Sequence, residues 1–215
     1  MRNLSPLEAR VLAVLIEKQA TVPDTYPLSL NALVAGCNQK TARQPVIEAT
    51  EAEVLTAVDG LKSLSLVFEG SGSRVVKFEQ NMARAMQLPG QAVALLAVLM
   101  LRGPQTAAEL RLNCERLHRF ADISSVEGFL DELSTKTVPL VLKLARAAGE
   151  REARWAHLLC GEVAQPAARA ATAGGDDSVS AGEIAALKAE QTRLADELAE
   201  LKSLVQRIAG ELGMK

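Results

Sequence analysis

Aromatic residues are scarce: 3% of 215, with one Trp (Trp155) and one Tyr (Tyr26). A surface that stacks single-stranded bases needs several exposed rings, so that class of binding is excluded. Cysteine is also rare, with Cys37, Cys114 and Cys160 far apart and odd in number. That pattern does not form a disulfide framework, and a reducing cytoplasm is expected. Charge of one sign is lacking, since 24 Lys and Arg stand against 26 Asp and Glu, a net charge of −2. No global basic excess draws the chain to nucleic acid or to an anionic membrane. The longest apolar run, Ala92 to Leu101, falls well short of the ~20 residues of a membrane span. The charged N-terminus, with Arg2, Glu8, Arg10, Glu17 and Lys18 around Val11 to Ile16, does not read as a signal peptide. No membrane association is expected.

A composition shift near residue 165 marks a boundary. The stretch 165–177 is rich in Ala, Gly and Asp, contains Pro166, Gly174 and Gly175, and shows no apolar period, so it reads as a linker. Residues 1–164 carry 18 basic and 18 acidic side chains; the remainder carries 6 and 8, so the tail holds the whole net charge.

The body repeats itself. Val11 to Ile16 recurs as Leu95 to Met100, and Ala32 to Cys37 is echoed by Glu109 to Cys114. The series Val54, Val58, Leu61 is echoed by Val126, Leu130, Leu133, and Leu66-Val67 by Leu140-Val141. Matches that keep their order indicate one unit used twice, dividing near Pro89. In the first unit, Ser5-Pro6-Leu7-Glu8 is a capping box opening a helix to about Lys18. A second helix is predicted from Ser29 to Cys37 and a third from Thr50 to Leu64, with Val54, Leu55, Val58 and Leu61 as its buried stripe. Leu66 to Glu69 and Arg74 to Phe78 read as strands around a Gly-Ser tip, residues 70–73. The second unit is predicted as helices 90–102, 106–114 and 124–135, with strands 140–143 and 154–159 around a polar tip, residues 145–151. Three helices followed by a hairpin is the order of a winged helix-turn-helix domain.

Longer motifs agree. Residues 37–46 (Cys-Asn-Gln-Lys-Thr-Ala-Arg-Gln-Pro-Val) and 72–77 (Gly-Ser-Arg-Val-Val-Lys) resemble signature stretches of the YceH family, bacterial proteins of unassigned function. So do 102–106 (Arg-Gly-Pro-Gln-Thr), 109–111 (Glu-Leu-Arg), 115–122 (Glu-Arg-Leu-His-Arg-Phe-Ala-Asp), Pro139-Leu140-Val141 and His157-Leu158-Leu159. The resemblance covers about residues 4–163; Ala108 stands where that family usually has Gly. It implies a tandem winged-helix fold and no particular chemistry. The fold class expected is thus mainly α with small β hairpins (α+β). Winged-helix domains are expected over 1–87 and 88–164, then a linker over 165–178 and a C-terminal amphipathic, coiled-coil helix over 179–215.

A winged helix commonly lays its third helix in the major groove and its wing on the backbone. Both third helices here are acidic. Glu51, Glu53 and Asp59 outweigh Lys62, and Glu127, Asp131 and Glu132 outweigh Lys136, a net of −2 each. The basic charge lies on the wings and in the loops before the third helices. Lys40, Arg43, Arg74 and Lys77 supply it in the first unit, and Arg111, Arg116, Arg119, Arg146 and Arg151 in the second. If double-stranded DNA is the partner, these nine residues are expected to hold its phosphates. The bland reading of each is a solvated loop charge. The rival reading is a protein-interaction module that uses the acidic third helices and the C-terminal coil.

No catalytic or metal constellation converges, and neither an enzyme nor a cofactor is expected. Cys114, His118 and Asp122 stand four apart and would share a face only on a helix. They lack the fourth ligand of a structural zinc site. In the tail, Ile184, Gln191, Leu198, Val205 and Leu212 fall on heptad a positions; Leu187, Leu194, Leu201 and Ile208 fall on d. A parallel homodimer is expected from that stripe, with fold-back onto the body as the alternative.

Overall fold

The computed structural model describes residues 2–70, 75–146 and 152–163, all within one compact unit, Met1–Arg169. It is a mixed fold of helices and small antiparallel sheets. The expected linker and C-terminal helix lie outside the described residues.

Helix α1 spans Pro6–Thr21 and opens on the expected capping box. The Ser5 hydroxyl accepts from the Glu8 N–H at 3.1 Å, and the Glu8 carboxylate accepts from the Ser5 N–H at 2.7 Å. The helix runs three residues past Lys18 because the barrier lies further on. Pro23 disfavours helical backbone at Val22, which leaves the helix at φ −141°. A two-residue strand, β1 (Leu28–Ser29), precedes α2 (Leu30–Cys37), and Ser29 caps that helix. Helix α3 spans Glu51–Ser63 behind a second capping box, Thr50 with Glu53. Strands β2 (Val67–Gly70) and β3 (Lys77–Gln80) complete a sheet ordered β1-β3-β2. A short helix, α4 (Met82–Ala85), then leads to α5 (Gly90–Arg102).

The same succession begins again. Helix α5 ends at Gly103, whose φ of +74° suits a residue without a Cβ. Helix α6 (Ala107–Asn113) starts on a Thr106–Glu109 capping box. Helix α7 (Ile123–Ser134) starts on Asp122, which accepts from the Ser125 N–H at 2.7 Å. Strands β4 (Val141–Lys143) and β5 (Trp155–His157) form a two-stranded ladder. The equivalent of β1 survives as one bridge. Trp155 N–H donates to the Gln105 carbonyl at 2.7 Å, and Gln105 N–H to the Trp155 carbonyl at 3.1 Å.

Three sequence expectations need correction. The second strand of the first hairpin lies two to three residues later than expected, over Lys77–Gln80. Phe78 is buried and pairs with Leu28 and Glu69, which sets that register, while Val75 and Val76 are left exposed before it. Leu55 does not belong to the buried stripe of α3; it is 42% exposed, whereas Val54, Val58 and Leu61 are fully covered. Neither β1 nor α4 was anticipated, because two and four residues are too few to display a period.

The core is continuous through both halves. Every residue from Glu8 to Ile16 in α1 and from Ala92 to Leu101 in α5 is buried, and the two helices pack on each other. A helix covered on all sides is a central element, not one stripe over a local core. Two backbone bonds add to the join: Leu4 N–H to the Leu159 carbonyl at 2.7 Å and Gln44 N–H to the Leu101 carbonyl at 2.8 Å.

Helices α1 and α2 meet at Gly36. A Cβ there would stand 2.6 Å from Cγ1 of Val14, a fully buried and rotamerically stiff side chain. Overpacking of this kind costs about 1–3 kcal/mol, against about 1 kcal/mol gained by removing Gly from a helix. Gly36→Ala is expected to lower the denaturant midpoint with an unchanged slope. A gain in stability would show that α2 can shift freely.

Candidate functional site

The nine expected phosphate-binding cations do not share one fate. Arg74 and Arg151 lie outside the described residues, as do the expected dimerisation positions Ile184, Leu187, Gln191, Leu194, Leu198, Leu201, Val205, Ile208 and Leu212. Lys40 is exposed in the loop after α2, Lys77 is half-buried on β3, and Arg146 is exposed after β4.

Arg43 is a correction. Its side chain is 1% exposed and turned inward. Nη2 contacts Glu17 Oε2 at 2.6 Å and Gln39 Oε1 at 2.7 Å, Nη1 contacts Glu17 Oε1 at 3.1 Å, and Nε donates to the Gly36 carbonyl at 3.2 Å. A guanidinium enclosed by a carboxylate and carbonyls cannot reach a phosphate. Burial works against the charge on Glu17, but the hydrogen bonds and charge of Arg43, with Lys18 beside it, outweigh that and hold its pKa below the usual range.

In the first half, α2, α3 and the hairpin enclose a groove of about 590 Å³. Lys62 stands there but is already paired, 2.6 Å from Glu69 and 3.7 Å from Asp59. Exposed Leu55, Val75 and Val76 line the rest. This groove is apolar with an acidic margin, the wrong charge for a phosphate backbone.

In the second half, Arg111 stands in the last turn of α6, and the turn between α6 and α7 carries Arg116 and Arg119 against Glu115 and the capping Asp122. Arg111 and Arg119 line one small recess together with Phe120. Arg111 donates to the Ala121 carbonyl at 3.0 Å, which fixes the turn. Arg116 and Arg119 are exposed, and neither makes an ion pair among the described residues. Arg154, by contrast, is held by Glu109 at 2.9 Å.

The spacing of Cys114, His118 and Asp122 has no chemical consequence, because α6 stops at Asn113 and the three diverge. Cys114 is buried with its thiol on the Ala94 carbonyl at 3.7 Å, and burial pushes its pKa up to about 12 despite the charge of Arg102. His118 meets the edge of Phe120 at 4.7 Å, and Asp122 caps α7. Among the described residues no group of three or more His, Cys, Asp or Glu could hold a metal ion. Trp155 is buried beneath Lys143, whose Nζ lies 5.2 Å from the ring centroid. The hydroxyl of Tyr26 accepts from the Gln80 N–H at 2.7 Å.

Two polar side chains that sequence reasoning did not single out, Arg10 and His157, line a cavity between the halves. The signal for Arg10 was available: one cation among the apolar residues Leu7 to Ile16 of a single helix. For His157 the one signal was its place in the family-like stretch His157-Leu158-Leu159, which points to no chemistry.

Comparison with known proteins places these features in a family context. The sequence model of a family described as "Protein of unknown function, DUF480" matches residues 4–150. A UPF0502 protein of Burkholderia multivorans is 66% identical over 214 residues, covering 100% of this chain and 91% of the relative. UPF0502 proteins of Burkholderia lata and Burkholderia pseudomallei strain 668 are 65% and 66% identical over the same length, with the same coverage.

Proposed function

We propose that this chain, which belongs to the DUF480 family, is a non-enzymatic, cytoplasmic regulatory protein of two winged helix-turn-helix modules. We place its contact with double-stranded DNA on the second module. The succession of three helices and a hairpin, met twice, supports the module assignment. The observation that carries the DNA reading is the turn ahead of α7, where Arg116 and Arg119 are exposed and make no ion pair among the described residues, with Arg119 sharing a recess with Arg111. Lys40, Lys77 and Arg146 would extend the footprint, as would Arg74 and Arg151, which lie outside the described residues. A dimer joined through the heptads of residues 184–212 would present two copies of it.

A mobility-shift assay with a salt titration on the full chain tests this. Each phosphate neutralised contributes about 0.9 to the slope of log affinity against log salt. Replacing both Arg116 and Arg119 with Ala is expected to lower that slope by roughly 2 and to weaken all sequences alike. Absence of binding at low salt would end the DNA reading. The alternative is then a protein partner in the first-half groove, favoured by the exposed Leu55, Val75 and Val76 around a neutralised Lys62.

A further inference from the structure

A cavity of about 530 Å³ opens between the start of α1, the loop at residues 44–49, the end of α5 and the segment after β5. Small-molecule sites commonly span about 300–1,000 Å³, are mostly apolar, and hold a few placed polar groups. Leu7, Ile47, Leu99 and Met100 supply apolar wall here. Among the described residues, three buried side-chain nitrogens lack any partner: Nε of Arg10, Nε of Arg111 and Nδ1 of His157. Two of the three belong to residues lining this one cavity. Folded proteins leave few such groups, and each asks for an explanation.

Arg10 is the stronger indicator. It is 4% exposed, and its Nη1 and Nη2 donate to the Cys37 and Pro45 carbonyls at 3.1 and 2.7 Å. Those oxygens orient the guanidinium but carry no full negative charge. No carboxylate among the described residues pairs with it, while neighbouring Arg43 has Glu17. A buried cation without a counter-charge is costly, and an anion relieves it.

We infer that this cavity binds a small apolar monocarboxylic acid, its carboxylate on Arg10 and its hydrocarbon body against the apolar wall, with His157 a neutral part of the lining. Burial holds the pKa of His157 down at about 4, so its ring is neutral at pH 7 and does not attract a second anionic group. Glu48, Glu53 and Glu162 also line the cavity and oppose any anion away from Arg10, most of all phosphates and other multiply charged ones, so only a single carboxylate seated on Arg10 is accommodated. Cys160 is no covalent anchor, since burial, with the nearby charge of Glu8, pushes its thiol pKa up. The site does not depend on the DNA reading.

Isothermal titration of the full chain with octanoate and phenylacetate, against uncharged octanamide, tests the inference. The acids are expected to bind at least about tenfold tighter than the amide. Arg10→Met should erase that difference. Ile47→Trp leaves Arg10 untouched and narrows the apolar wall, so it should weaken binding of all three while circular dichroism stays unchanged. Equal affinity for acid and amide overturns the inference, as does undiminished binding in Ile47→Trp or no binding at millimolar concentration. Binding that appears only after removal of residues 165–215 would assign the cavity to the chain's own tail, and would overturn it as well.

Discussion

Glu17→Gln is expected to destabilise the protein by about 3–5 kcal/mol, the range seen when one partner of a buried ion pair is removed. The size follows from what remains. Arg43 keeps its 1% exposure and its hydrogen bonds to Gln39 and the Gly36 carbonyl, but loses its carboxylate partner. Lys18, which shares Gln39 with it, then adds repulsion without compensation. The reverse change, Arg43→Met, leaves Glu17 17% exposed and beside Lys18 at 3.5 Å, so it should cost less. The ordering of the two variants in urea melts is the check; an equal or inverted order would mean that Arg43 escapes to solvent. A pH dependence accompanies the first variant. The folded-state pKa of Glu17 is lowered, so its stabilisation is complete above the unfolded-state value and is lost as pH falls through the folded one. The wild type should therefore weaken in acid more steeply than Glu17→Gln. Glu8, whose pKa is lowered mainly by its hydrogen bond to Arg2, keeps some of that slope in both.

Leu12→Ala is expected to cost about 2–5 kcal/mol, and the cost should register across the whole compact unit. Leu12 lies in the first half, fully buried on α1. The one tryptophan, Trp155, lies in the second half and is 2% exposed. Because α1 and α5 share one core, the loss on α1 should be felt at Trp155. Urea melts followed by Trp155 fluorescence and by far-ultraviolet circular dichroism should coincide, and both midpoints should fall together in the variant. An unmoved fluorescence midpoint beside a two-step dichroism curve would show that the halves unfold independently.

Much of the local structure was legible in the residues. Ser5, Pro6 and Glu8 announced the start of α1 because capping is satisfied within four residues. The bounds of α5 agree with the expected range 90–102, whose apolar run fills the helix. The duplicated order was visible in apolar runs, and Cys37 and Cys114 close corresponding helices, both fully buried. Legibility failed where the deciding partner was distant in sequence. Arg43 and Arg116 look alike in a loop; only Glu17, 26 residues earlier, separates a buried ion pair from an exposed charge. Leu55 fits a helical stripe as well as Val54, and only the position of the hairpin and α2 leaves one of them uncovered.

Propensity, capping and apolar period act over a few residues, so the sequence alone determined the longer helices and the fact that the order of helices and hairpin runs twice. Where a charge ends up depends on which distant groups the packing brings within a few ångströms. Only the tertiary structure therefore decided that α1 and α5 enclose each other, that Arg43 is tied to Glu17, and that Arg10 and His157, each with one buried nitrogen that has no partner among the described residues, line one cavity.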